Sequence, residues 1–139
     1  LPVGSCPFSW STEGRLAGVR RRLDEGLVDF SSLPEGQTVR TSESAWAILE
    51  NVPPVERLVV CHGDACAPNT VLADDGSVSG HVDMGSMGVG DPWADLAVAS
   101  WSTVWNYGSG WEQTLVDAYG VEPDPEREIF YRLLWALGD

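Results

Sequence analysis

Apolar residues follow helical spacing in five stretches of this chain and cluster in short runs between residues 57 and 85. In residues 11–26, Leu16, Val19 and Leu23 recur on one face, Ser11 or Thr12 can cap the start, and Gly26 ends it. Residues 41–52 predict a second, short helix, capped near Thr41 or Ser42 and stopped by Pro53 and Pro54. Residues 91–105 open with a capping Asp91 and with Pro92 at the first helical position. Their buried stripe is Trp93, Leu96, Ala97, Trp101 and Val104, whose periodicity marks core rather than a ligand platform. Residues 110–120 add a helix ending at Gly120. Residues 124–137 repeat the Asp-Pro opening and place Ile129, Phe130, Leu133, Leu134 and Leu137 on one side.

The remaining pattern is β-like. Leu58, Val59 and Val60 form a continuous apolar run, predicting a short strand within residues 57–63. Residues 70–72 and 78–82 flank a turn at Asp74-Asp75-Gly76 and predict a hairpin. Gly85, Gly88 and Gly90 then predict a mobile or sharply bent loop. Residues 27–37, which hold Asp29 and Glu35, read as a polar connection. The expected fold class is α+β, a mostly helical body with a small β element that carries the polar loops.

Composition narrows the possibilities. At 139 residues, 43% hydrophobic with seven Trp, the chain suits one folded domain spanning 1–139. No run approaches the roughly 18 apolar residues of a membrane span, and the N-terminus lacks a signal-peptide pattern. Three cysteines, an odd number, argue for a reducing compartment, so a cytoplasmic location is expected. Cys61, Cys66, His62 and His81 do not have the paired spacing of a zinc site. The net charge of −13 repels nucleic acid, and no basic cluster beyond Arg20 to Arg22 offsets it. That acidity either attracts a polycation or simply aids solubility.

Chemistry concentrates in "LVVCHGDACAPNTVL". His62, Asp64 and Asn69 match His-x-Asp-x-x-x-x-Asn, the spacing of a kinase catalytic loop, and Asp83-Met84-Gly85 follows fourteen residues after Asn69. Singly, Asp64 and Asn69 are equally good turn residues; in this order and context they form a constellation. Phosphoryl transfer needs one carboxylate to orient the attacking hydroxyl. It also needs hard oxygen ligands for magnesium, here Asn69 and Asp83. His62 would brace the loop, and His81 would be structural.

"VVCHGDACAPNTVL", "GHVDMGSMGVGDPWADLA", "FYRLLWALGD" and the opening "LPVGSCPF" resemble the aminoglycoside phosphotransferases, most closely the 3′-phosphotransferase (kanamycin and neomycin kinase) type. The resemblance covers nearly the whole chain. It implies a protein-kinase-like fold and transfer of the ATP γ-phosphate to an aminoglycoside hydroxyl, an antibiotic-resistance activity. By position, Asp64 would be the catalytic base, Asn69 and Asp83 the Mg2+ ligands, and Asp95 a support for the loop from its helix. Asp29, Glu35 and Asp139 would bind the cationic drug, a partner that accounts for the net charge.

The departures from the family pattern are specific. Ser86 replaces an Arg often found after Asp-x-Gly, and Trp135-Ala136 replaces an acidic pair near the end. The sequence has no glycine-rich nucleotide loop and no lysine, so it is expected to be the C-terminal lobe alone, inactive without an N-terminal lobe. Two other readings remain at this level: a related kinase for choline, homoserine, a macrolide or a peptide antibiotic, and a non-catalytic drug-binding remnant or split-protein fragment.

Overall fold

The computed structural model describes residues 1–34 and 36–138; Glu35 and Asp139 lie outside the described residues. Helix α1 (Thr12–Asp24) begins where Ser11 Oγ accepts the Gly14 N–H at 3.2 Å, and the chain leaves it through Gly26 at φ 66°. Helix α2 (Ser42–Leu49) starts with a reciprocal cap. Thr41 Oγ1 accepts the Ser44 N–H and Ser44 Oγ accepts the Thr41 N–H, each at 3.2 Å.

Strands β1 (Val59–Cys61), β2 (Thr70–Leu72), β3 (Val78–His81) and β4 (Gly88–Gly90) follow, then helices α3 (Trp93–Tyr107), α4 (Glu112–Tyr119) and α5 (Pro125–Gly138). Helices α3 and α5 pack along each other, and α1, α2 and α4 close around them. Val19, Leu49, Ala97, Leu133, Leu134 and Leu137 are fully buried at their centre. Each such Leu or Val stabilises the fold by about 1.5–3 kcal/mol. A buried polar tie crosses this core. The Tyr131 hydroxyl donates to Asp91 Oδ2 at 3.1 Å and lies 3.1 Å from Thr12 Oγ1, joining α5, the start of α3 and α1. Burial raises the Tyr131 hydroxyl well above its ordinary pKa.

Strands β2 and β3 make the expected antiparallel hairpin, pairing Thr70 with His81. Strands β1 and β4 pair separately, Val59 with Gly90 and Cys61 with Gly88. The expectation of a mobile or bent loop at Gly88 and Gly90 is therefore corrected, because this segment is a strand. The chain at Ser9 runs parallel beside it, with Trp10 N–H donating to Val89 O at 2.8 Å and Val89 N–H to Phe8 O at 2.9 Å. A Cβ on Gly88 would stand 2.7 Å from Ser9 C, and one on Gly90 2.7 Å from Trp10 O. The glycines are there to admit a neighbouring backbone.

Two further expectations change. Ile129 is 53% exposed, because the buried face of α5 runs through Arg127, Phe130, Tyr131 and Leu134, one position round from it. Leu58 precedes β1 and is exposed. No helix among the described residues is long and apolar enough to cross a membrane.

Candidate active site

The loop from His62 to Asn69 leaves β1 and is gripped at both ends by one face of α3. Asp95 accepts the His62 N–H at 2.6 Å on Oδ2 and the Gly63 N–H at 3.0 Å on Oδ1. Two helical turns later, the buried Ser102 Oγ accepts the Ala67 N–H at 2.9 Å and is itself bonded by Asn106 Nδ2 at 3.1 Å. Residues seven apart share a helix face, which is why α3 reaches both loop ends. Burial raises the Asp95 carboxyl above its ordinary pKa, while the His62 and Gly63 amides oppose that shift.

His62 spans the loop and the hairpin. Its Nδ1 accepts the Asp64 N–H at 3.2 Å, so Nε2 carries the proton and donates to Val82 O at 2.9 Å. With both nitrogens engaged the ring serves as a strut. His81 stands edge-on to it at 5.9 Å, with Nδ1 3.4 Å from Thr70 Oγ1.

Asp64 holds a donor on each carboxylate oxygen. Cys66 Sγ donates to Oδ1 at 3.1 Å, and Asn69 Nδ2 donates to Oδ2 at 2.9 Å. Asn69 Nδ2 also reaches the Asp64 main-chain oxygen at 2.9 Å. Facing two acceptors fixes the amide orientation and keeps Asn69 Oδ1 out of both bonds. Val82 N–H donates to Asn69 O at 3.0 Å, so Asn69 and Asp83 flank one rung of the hairpin.

Asp83 is exposed and left-handed, at φ 58° and ψ 48°. It lines a cleft of about 580 Å³ together with Asp64, Ser86, Trp10, Arg15 and Trp135. Asn69 does not line that cleft; it borders a neighbouring cavity of about 430 Å³ with His62 and His81. Gly63 closes the two loops together. It sits at φ 89°, and a Cβ there would overlap the Ser86 backbone and stand 2.6 Å from Ser86 Cβ.

The structure thus brings Asp64 and Asp83 to one cleft, hangs Asn69 on Asp64, and sets His62 and Asp95 beneath the loop. It does not bring Asp29 there. Asp29 sits exposed between α1 and α2, where Oδ1 accepts Ser31 N–H at 2.9 Å and Ser31 Oγ at 2.6 Å. Those bonds hold its carboxyl below the ordinary range. The expectations for Glu35 and Asp139 fall outside the described residues. Ser102 and the cleft residues Trp10 and Arg15 were not singled out by motif; Cys66 was weighed only as a zinc ligand and Trp135 only as a departure from the family pattern. Arg15 lies over the Trp10 ring at 4.6 Å. The seven-residue step from Asp95 to Ser102 is the one signal that could have pointed to Ser102.

Residues 1–131 match the family model described as the phosphotransferase enzyme family. An aminoglycoside 3′-phosphotransferase of Streptomyces fradiae is 38% identical over 96% of this chain and 53% of its own length. A streptomycin 3″-kinase of Streptomyces griseus is 32% identical over 94% of this chain and 53% of its own length. Among solved structures, an aminoglycoside phosphotransferase of Streptomyces rimosus aligns with a TM-score of 0.85 at 31% identity, covering 99% of this chain and 56% of that one. The same protein in complex with ADP and streptomycin aligns with a TM-score of 0.81. The chain therefore spans about half the length of the relatives it matches, corresponding to their C-terminal portion. With this family match across most of its length and a kinase-like fold shared with those structures, the chain belongs to the phosphotransferase enzyme family.

Proposed function

We propose that this chain is the C-terminal lobe of an aminoglycoside phosphotransferase, carrying the catalytic loop, the Mg2+ ligands and part of the drug site. The observation that carries the reading is Asp64, pinned at both carboxylate oxygens and facing a cleft shared with Asp83. An aminoglycoside hydroxyl in that cleft donates to a free lone pair of Asp64, which aligns its oxygen on the γ-phosphate of ATP and takes up its proton. Catalysis of this kind is chiefly positioning and charge.

The oxygens on hand suit magnesium. Asn69 Oδ1 takes no part in the bonds to Asp64, and Asp83 is exposed in the adjoining cleft. Among the described residues no cluster of three or more His, Cys, Asp or Glu could hold a metal. A cation here would have few protein ligands, as Mg2+ does when water and phosphate complete its shell. When bound, Mg2+ neutralises nucleotide phosphate charge.

Acidity favours a polyamine substrate: the net charge is −13. The relatives named above are aminoglycoside kinases. Asp64 and Asp83 supply carboxylates to the cleft, and Asp139 remains a proposed drug ligand. Asp29, which lies outside that cleft with both Ser31 donors on Oδ1, and Glu35 stay proposed drug ligands as well. The enzyme would act in the cytoplasm, where ATP is available. By itself the 139-residue chain, which has no lysine, would turn over feebly or not at all.

The test is transfer of labelled γ-phosphate to kanamycin and to streptomycin by the complete gene product, wild type against Asp64→Asn. Label reaching neither drug sinks the reading, as does an Asp64→Asn variant of undiminished rate.

A further inference from the structure

We propose that Cys66 is a positioning residue for Asp64: its thiol, donating to Oδ1 opposite the Asn69 donor on Oδ2, fixes the plane of the carboxylate that receives the substrate hydroxyl. The inference rests on the phosphotransfer reading above and adds a residue to it. The torsion that turns an aspartate carboxylate is broad and roughly two-fold, so one donor alone leaves it free to swing. Here the two donors lie 3.1 Å and 2.9 Å from different oxygens.

The backbone that aims the thiol is itself held. Cys66 sits extended at φ −64° and ψ 145°, its carbonyl accepts the Asn69 N–H at 2.9 Å, and the next amide is bonded to Ser102 Oγ. Both donors on Asp64 thus come from one short turn anchored on α3. The chemistry of the donor also fits. A thiol is a weak, neutral donor, so it orients the carboxylate without cancelling the charge a substrate hydroxyl seeks. An ionised carboxylate offers about four lone-pair sites, so two remain for the substrate. Cys66 forms no bond to substrate and transfers no proton.

Two measurements test this. In the isolated chain, the Cys66 S–H stretching band, identified by its loss in Cys66→Ser, should move to higher frequency in Asp64→Asn, where the acceptor is weaker. A band indifferent to that change overturns the proposal. In the complete gene product with kanamycin and MgATP, Cys66→Ala should lower kcat roughly three- to thirtyfold with little change in the KM for ATP. Cys66→Ser, which restores a donor, should recover most of that loss; a purely packing role would leave Ser and Ala alike. An active wild type whose kcat survives Cys66→Ala, or one not recovered by Ser, overturns the inference alone. A wild type that phosphorylates no aminoglycoside overturns the functional reading and removes the reaction Cys66 would serve.

Discussion

Asp95 accepts the backbone N–H of His62 at 2.6 Å, and with the Gly63 N–H on its other oxygen it carries the entrance of the loop. A half-buried carboxylate in this position has opposing effects. It satisfies two amides, and it pays desolvation that raises its own pKa above the ordinary 3.8. A carboxyl that holds its proton more tightly folded than unfolded makes stability fall as pH rises from its unfolded value through its folded one. Above that window its contribution is constant.

Asp95→Asn removes this slope and turns an NH2 toward one of the two amides. At neutral pH the variant should be less stable by about 1–3 kcal/mol. In urea titrations at stepped pH, the wild-type advantage over Asp95→Asn should shrink from about pH 4 upward and then level. A difference that does not vary with pH would assign Asp95 no abnormal titration.

Gly63 and Gly76 separate backbone strain from crowding. Both have positive φ, 89° and 82°, but a Cβ on Gly76 meets nothing within 4 Å while one on Gly63 meets the Ser86 backbone. Gly76→Ala should cost on the order of 1 kcal/mol, and Gly63→Ala clearly more. Equal shifts in Tm for the two variants would contradict the close approach of the loops.

Removing the Tyr131 hydroxyl leaves the 2% exposed Asp91 with one donor fewer in the core. Tyr131→Phe should therefore destabilise by about 1–3 kcal/mol, read from the denaturant midpoint at unchanged slope. A neutral effect would mean that water replaces the lost donor.

Cys61 is buried, and burial together with the nearby Asp95 charge pushes its thiol up to about 12. At pH 8 it should resist alkylation in the folded chain and react once urea unfolds it, whereas the half-buried Cys6 reacts throughout. Peptide mapping after iodoacetamide distinguishes the two.

The helices were legible because each carries its own signals: Ser11 and Thr41 as caps, Gly26 and Gly120 as stops, apolar residues at 3.6-residue spacing between them. Strand β4 was not, because Gly-Val-Gly reads as a loop until Ser9 and Trp10, some eighty residues earlier, are laid against it. Ile129 failed for a subtler reason, since an amphipathic stripe fixes a helix face only to within a residue or so. At the site, the spacing of His62, Asp64, Asn69 and Asp83 pointed to the loops. It could not reveal that Cys66 and Asn69 occupy different oxygens of Asp64, because those contacts depend on how α3 holds the turn.

The seven-residue step from Asp95 to Ser102 makes α3 a ruler for the loop above it. Inserting one residue between them would rotate everything downstream by about 100°. The near end of the loop would stay fastened while the far end, with Asn69, lost its anchor. That stretch of α3 should therefore tolerate a substitution far better than an insertion.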